Sequence, residues 1–208
     1  MELTHPLAVI TPTLDGDVLS ILALADADFT ASRLHGLLPT RGKRGIDKVL
    51  ARLVEQGVVM QTHVGRPNLY RLNREHLAAD AVVALARQKD TLLERLRHEL
   101  ASWKVPAVYA ALFGSGARGD HGSTSDIDLL FIRPDEVDHD DWDAQVEALS
   151  ARVTAWTGND ARAISYAMRE VAERGAHEPL LAEIVKEGIS LAGDPNWLRR
   201  ALKRGSAA

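Results

Sequence analysis

The stretch LFGSGARGDHGSTSDIDLLFI, residues 112–132, joins two apolar runs through a loop rich in glycine and hydroxyl side chains. We interpret the first run as a buried strand, and Gly114 and Ser115 follow it directly. Two residues without bulk let a backbone approach a ligand closely. If Ser115 opens a short helix, its amide groups form an anion site. The stretch therefore predicts a phosphate-binding turn between two strands.

Two aspartates stand at the start of the second apolar run. Asp126 and Asp128 are one residue apart, so on a strand their side chains share a face, while Ile127 and Leu129 face a core. Adjacent carboxylates repel each other unless a divalent cation lies between them, and Mg²⁺ prefers such oxygen ligands together with substrate phosphates. A phosphate turn beside paired carboxylates indicates metal-assisted attack on a nucleoside triphosphate.

This combination resembles the signature of the nucleotidyltransferase superfamily, as in DNA polymerase β-like enzymes and minimal nucleotidyltransferases: Gly-Ser, a spacer, then Asp-x-Asp. The positions that fit the pattern are Gly114, Ser115, Ala117, Arg118, Gly119, Ser125, Asp126, Ile127, Asp128 and Leu129. The resemblance implies a mixed β-sheet flanked by helices. It implies nucleotide binding by Gly114, Ser115, Arg118 and Ser125, and Mg²⁺ or Mn²⁺ binding by Asp126 and Asp128. It also implies transfer of a nucleoside monophosphate from a triphosphate, which we expect to be ATP, to an acceptor hydroxyl.

The third carboxylate of reactive family members is displaced in this chain. Within GNDARAISYAMREV, residues 158–171, its expected position falls near Arg162, and Asp160 lies two residues earlier. Either Asp160 completes the triad as a catalytic ligand or base, or it is a turn residue after Gly158 and the site has two carboxylates. Arg162 could instead bind phosphate. Without a base the acceptor hydroxyl is harder to activate. An enzyme is favoured, and a nucleotide sensor without catalysis is the alternative.

The N-terminal third predicts helices followed by a hairpin. Residues 15–38 contain two short helices, with Thr30 as N-cap of the second. Residues 41–57 carry apolar side chains at helical spacing, and Gly57 stands where a helix end is expected. The runs VVMQTHV and LYRLN, separated by GRPN, predict a β-hairpin. This order resembles a winged helix-turn-helix.

Charge is unevenly distributed along the chain. Residues 33–74 contain nine basic and two acidic residues, a net +7, whereas residues 104–208 contain 12 basic and 17 acidic, a net −5. The residues predicted to contact double-stranded DNA lie at the start of the third helix and at the hairpin tip: Arg41, Lys43, Arg44, Lys48 and Arg66. The alternative is a winged helix used for dimerisation or protein contacts, with solvated charges.

The whole chain is predicted to be an α+β protein with three parts. Residues 1–73 form the winged-helix DNA-binding domain, residues 74–103 one long connecting helix without glycine or proline, and residues 104–208 the nucleotidyltransferase domain. No cysteine is present, which excludes disulfides and thiolate metal sites. No apolar run is long enough to span a bilayer, and the N-terminus lacks signal-peptide features. We expect a cytoplasmic protein without a membrane partner.

The acceptor and the biological role stay open at this point. The acceptor could be a protein, a tRNA or a small molecule. We expect a homodimer, with residues 74–103 as a candidate surface. Transcription regulation and a place in a toxin–antitoxin system are predicted by analogy only. Antibiotic modification is disfavoured, because such an enzyme needs no DNA contact.

Overall fold

The computed structural model describes residues 1–63, 67–119, 122 and 124–205, with backbone alone at positions 174 and 176. The chain divides into two compact units. The first unit is His5–Lys89, and the second comprises Met1–Thr4 with the chain from Asp90 onward.

Among its described residues, the first unit has four α-helices and one hairpin. After a short 3₁₀ turn, its elements are α1 (Leu14–Leu24), α2 (Ala31–Leu37), α3 (Lys43–Glu55), β1 (Val59–His63), β2 (Asn68–Leu72) and α4 (Ala79–Ala86). Strands β1 and β2 pair antiparallel. Phe29, between α1 and α2, forms an isolated bridge with Tyr70 of β2. The expected order of three helices followed by a hairpin is present.

Local sequence signals explain the helix boundaries of this unit. The Thr30 side chain accepts a hydrogen bond from the backbone N–H of Arg33 at 3.1 Å, which confirms the predicted N-cap of α2. Helix α3 buries Ile46, Leu50 and Leu53 along one face. Gly57 follows this helix with φ 74°, a conformation that glycine adopts at little cost.

The prediction of one continuous helix over residues 74–103 is wrong. Helix α4 ends at Ala86, Arg87 adopts φ −95° and ψ 17°, and α5 spans Gln88–Ala101. Helix α4 buries Ala79 and Ala86 in the core of the first unit. Helix α5 instead contributes leucines to the core of the second unit, namely Leu92, Leu93, Leu96 and Leu100. Packing on two different cores sets these helix ends, because tertiary contacts outweigh helix propensity.

The second unit is built on a mixed four-stranded sheet. From α5 its elements continue as β3 (Tyr109–Phe113), α6 (Ser115–Arg118), β4 (Ile127–Arg133), α7 (His139–Thr157), β5 (Ala161–Ala167), α8 (Met168–Arg174), α9 (Pro179–Glu187), β6 (Ile189–Gly193) and α10 (Trp197–Gly205). The strand order is β5-β4-β3-β6. Strand β3 is antiparallel to β4 and β6, and β4 is parallel to β5. The predicted mixed sheet with helices is therefore confirmed.

Both faces of this sheet are covered. On one face Leu112, Ile127, Leu129 and Phe131 belong to an apolar cluster that includes residues of α5 and α7. On the other face, strand residues such as Leu130 cluster with residues of α8, α9 and α10. The sequences of the two central strands, β3 and β4, are consequently almost entirely apolar. No helix in the described part of the chain combines the length and apolar character that crossing a membrane requires.

Candidate active site

The turn after β3 brings the backbone against a carboxylate. Gly114 adopts φ 65° and ψ −149° at the start of α6, as the sequence leads one to expect of a glycine at a tight strand-to-helix turn. Phe113 pairs with Asp128 across β3 and β4. A Cβ atom on Gly114 would lie closer than 3.0 Å to Asp128 Oδ2. The absence of a side chain at position 114 is what gives the Asp128 carboxylate its room.

Helix α6 is a single turn that begins at the predicted residue. Ser115 opens it, and the backbone N–H of Arg118 donates to Gly114 O at 3.1 Å. Gly119 ends it with φ 84°. The backbone N–H of Ala117 donates to the same Gly114 carbonyl at 3.1 Å, so the turn closes on its own N-cap residue.

The two aspartates of the motif lie at the N-terminal end of β4. Asp126 directly precedes the strand, and Asp128 is half-buried within it. Ile127, between them, is fully buried on the opposite face. The predicted separation of polar and apolar faces at this strand end is therefore present, and it follows from the two-residue period of a strand.

Arg162 lies beside these aspartates on the neighbouring strand. The parallel register of β4 and β5 sets Asp128 opposite Arg162. Arg162 Nη1 is 2.7 Å from Asp126 Oδ2, and its Nε is 3.6 Å from Asp160 Oδ2. The position where the family resemblance places a third carboxylate is thus occupied by a guanidinium that pairs with one of the other two.

Asp160 lies at the entrance to β5, with its side chain 68% exposed. Its backbone carbonyl accepts a hydrogen bond from Ile127 N–H at 2.8 Å, which fixes the main chain next to the motif. Within the described ranges, no group of three or more His, Cys, Asp or Glu residues has the arrangement to hold a metal ion. A catalytic role for Asp160 stays a prediction.

A buried asparagine that the sequence did not reveal holds the loop before β4. Asn159 is 4% exposed, and its Nδ2 donates to the carbonyl of Ser125 at 2.8 Å. The Ser125 hydroxyl accepts from Gly122 N–H at 3.0 Å. The sequence offered one hint of this role. Gly158 ends α7 with φ 71°, so Asn159, which follows it, is placed close to the start of β5. Nucleotide binding by Ser125 stays a prediction.

Arg118 forms ion pairs with two residues outside the motif. Its Nη1 is 3.1 Å from Glu183 Oε1 and 3.6 Å from Glu187 Oε2, both on α9. These ion pairs tie the turn after β3 to a helix on the sheet's second face. Sequence reasoning missed both glutamates, and a nucleotide contact by Arg118 is untested by this geometry.

The donor chemistry fits a hard divalent cation in part. Asp126 and Asp128 offer carboxylate oxygens at one strand end, the ligand type that Mg²⁺ and Mn²⁺ accept. Asp160 is a third acidic side chain within reach of the same arginine. Three aspartates and one arginine give this group a formal charge of −2, so it attracts a cation even with Arg162 in place.

The residues predicted to contact DNA differ in whether an acidic side chain pairs with them. Arg41 Nη2 lies 2.7 Å from Asp17 Oδ2, so part of its charge is already compensated. Lys43, Arg44 and Lys48 are exposed on α3. Arg66, predicted at the hairpin tip, lies outside the described residues.

Comparison with protein families agrees with the geometry of the second unit. The family model described as "Nucleotidyltransferase domain" matches residues 93–186, a range that contains the motif and begins within α5. The matched range is under half of the chain's length. No curated protein matches the chain.

Solved structures give a weaker likeness. One, titled "Crystal structure of the toxin-antitoxin with AMP-PNP", has 17% identity and a TM-score of 0.41, covering 55% of this chain and 84% of that chain. Another, titled "Crystal structure the toxin-antitoxin MntA-HepT", has 17% identity and a TM-score of 0.38, covering 57% and 84%. At this sequence identity and TM-score, the similarity supports no conclusion about a partner or a reaction of this chain.

Proposed function

We propose that the second unit binds a nucleoside triphosphate together with Mg²⁺ and transfers its nucleoside monophosphate to an acceptor hydroxyl. ATP is the expected nucleotide. The observation that carries the proposal is the contact geometry of Gly114 and Asp128. A turn that only glycine fits lies directly against a carboxylate at the end of a buried strand. An ordinary surface hairpin has no need of that close approach.

Each part of the turn has a distinct task in this reaction. The Gly114–Ser115 backbone approaches the phosphates, and Asp126 and Asp128 would hold the metal. When bound, Mg²⁺ offsets the negative charge of the phosphate oxygens. Asn159 keeps the segment before β4 in place through its hydrogen bond to the Ser125 carbonyl. Positioning of the reactants by rigid elements supplies much of the rate in phosphoryl-type transfers.

The transfer also requires a destination for one proton. A bond forms between the acceptor oxygen and the α-phosphorus, the bond from that phosphorus to the bridging oxygen breaks, and pyrophosphate leaves. The acceptor hydroxyl loses its proton in this process, which a carboxylate in reach can accept. We assign this role to Asp160, because its exposed side chain is open to an acceptor. It also contacts Arg162, which pairs with Asp126 of the proposed metal site.

The reaction is tested by label transfer from ATP. The full chain is incubated with Mg²⁺, ATP labelled at the α-phosphorus, and cell extract that supplies protein, tRNA and small-molecule acceptors. We expect transfer by the wild type, loss of transfer in Asp128→Ala, and wild-type transfer in Asp143→Ala, an exposed aspartate on α7 that serves as control. Undiminished transfer by Asp128→Ala would show that this site is not responsible.

A second function, nucleotide sensing without catalysis, is supported by the ion pair between Arg162 and Asp126. That pair puts a cation where a third carboxylate would complete the metal site. Two carboxylates still suffice to hold one metal–nucleotide complex. Saturable ATP binding without transfer to any acceptor fraction would select this function over the enzyme.

For the first unit we propose a winged-helix domain that binds double-stranded DNA through the start of α3. Support comes from three exposed cations on this helix, Lys43, Arg44 and Lys48, and from the absence of an acidic residue in its first turn. Arg41 is a weaker contributor, because Asp17 already pairs with it. Transcription regulation, a toxin–antitoxin role and a homodimer remain predictions by analogy.

Salt-dependent DNA binding tests this second proposal. The slope of log affinity against log salt is negative, and each phosphate contact that is lost reduces its magnitude by about 0.9. The triple substitution of Lys43, Arg44 and Lys48 by alanine is therefore expected to weaken binding and flatten the slope. Arg52→Ala is a matched control, since Arg52 lies on the same helix and pairs with Asp15. Equal slopes for the triple variant and this control would show that α3 does not contact DNA.

A further inference from the structure

The position of Arg162 relative to the carboxylates follows from strand register. Asp128 of β4 is opposite Arg162 of β5, and Ile127 N–H bonds to the carbonyl of Asp160, so the register continues to the strand entrances. In parallel strands, residues two apart share a face. Asp126, Asp128, Asp160 and Arg162 therefore occupy one face at one end of two adjacent strands.

Arg162 contacts two of the three aspartates in this group, Asp126 and Asp160. Its Nη1 is 2.7 Å from Asp126 Oδ2, while its Nε is 3.6 Å from Asp160 Oδ2. The Asp126 side chain is 29% exposed, which is the more sheltered of the two. A guanidinium has a rigid fork of donors that matches carboxylate and phosphate oxygens equally well.

We infer that Arg162 competes with a divalent metal for Asp126 and binds the polyphosphate of the nucleotide, so that the metal enters this site together with the nucleotide and not ahead of it. This inference rests on the proposed function. Arg162 Nη1 already contacts Asp126 Oδ2, one of the two carboxylate oxygens that Asp126 could offer a metal, and the guanidinium repels the metal ion. A polyphosphate carries several negative charges and offers Arg162 a replacement partner, so binding of both together removes the competition.

Two affinities measured on the full chain test this inference, with Mn²⁺ and ATP as the probes. The first is Mn²⁺ affinity without nucleotide, from the electron paramagnetic resonance signal of free Mn²⁺. The second is ATP affinity in the presence of EDTA, by calorimetry. We expect Arg162→Ala to bind Mn²⁺ about two- to fivefold more tightly, since an ion pair of this exposure is worth a factor of that order. We expect the same variant to bind metal-free ATP about tenfold more weakly, because a charge-assisted contact is lost.

Three further variants separate charge from structure. Arg162→Lys keeps the charge and is expected to stay near the wild type in Mn²⁺ affinity. Arg162→Glu adds a carboxylate and is expected to bind Mn²⁺ more tightly than Arg162→Ala. Arg152→Ala removes a comparably exposed arginine that pairs with Glu99 in the same unit, and both affinities should stay unchanged. Arg162 is 64% exposed, so its variants are expected to fold.

The outcomes distinguish this inference from the proposed function. If Mn²⁺–ATP binds the wild type while Arg162→Ala leaves both affinities within twofold, the inference is overturned and the proposed function stands. If no nucleotide binds under any condition while Arg162→Ala still gains Mn²⁺ affinity, the proposed function is overturned and the competition for Asp126 stands.

Discussion

Replacement of Gly114 by alanine tests the close approach of turn and carboxylate. The native φ of 65° and ψ of −149° lie in a region that only glycine occupies readily, so an alanine costs about 1–3 kcal/mol in backbone strain. The added Cβ would also meet Asp128 Oδ2 closer than 3.0 Å and Asp128 Cγ at 3.3 Å. Because β4 is held in register on both sides, the carboxylate must move to relieve this contact. We expect lower stability and a loss of Mn²⁺–ATP affinity of at least about tenfold, or 1.4 kcal/mol.

Gly119→Ala is the matched control for this substitution. Gly119 has φ 84° in the same turn, but a Cβ there has no atom within 4 Å. Its backbone cost is similar, about 1–2 kcal/mol, without a collision at the site. Urea unfolding followed by tryptophan fluorescence measures stability, and calorimetry measures Mn²⁺–ATP affinity. If Gly114→Ala and Gly119→Ala bind equally tightly, the reasoning about Asp128 is refuted.

Three other substitutions test local parts of the fold. Thr30→Ala removes the oxygen that accepts from Arg33 N–H and should lower the free energy of unfolding by about 1 kcal/mol, while Thr30→Ser should retain it in the same urea titration. Asn159→Ala leaves the Ser125 carbonyl without its donor and should cost about 1–3 kcal/mol; unchanged stability would contradict the anchoring role. Burial raises the pKa of Tyr109 above its ordinary 10.0, so the unfolded chain loses this proton first and the free energy of unfolding falls as pH rises above 10.0. Tyr109→Phe should lose this part of the fall, and an identical pH profile for both proteins would count against it.

The motif was predictable because its chemistry and its backbone are both local. Gly114, Ser115, Asp126 and Asp128 lie within fifteen residues, and a strand's two-residue period alone puts the aspartates on one face. The strand–turn–strand order follows from the same stretch, whereas the mixed sheet was expected from the family resemblance alone. Thr30 and Gly57 were predictable for a similar reason, since helix caps depend on a few neighbouring residues.

The features that sequence reasoning missed depend on long-range contacts. Arg118 finds Glu183 65 residues away, and Asn159 reaches the carbonyl of Ser125 across 34 residues. Periodicity carries no information on such partners. The helix break at Arg87 has the same origin, because two separate cores compete for adjoining segments without a glycine or proline between them. Arg162 is intermediate: its position near the site was predictable, but its ion pair with Asp126 was not.

The central claim is that Asp128 and the turn beside it bind a metal–nucleotide complex, and calorimetry of Mg²⁺–ATP with wild-type protein and Asp128→Asn tests it most directly. Asparagine keeps the size of the side chain and removes its charge, so folding should be retained. We predict saturable binding by the wild type and at least about tenfold weaker binding by the variant, a difference of 1.4 kcal/mol. No binding by the wild type, or equal affinity in both proteins, would contradict the account.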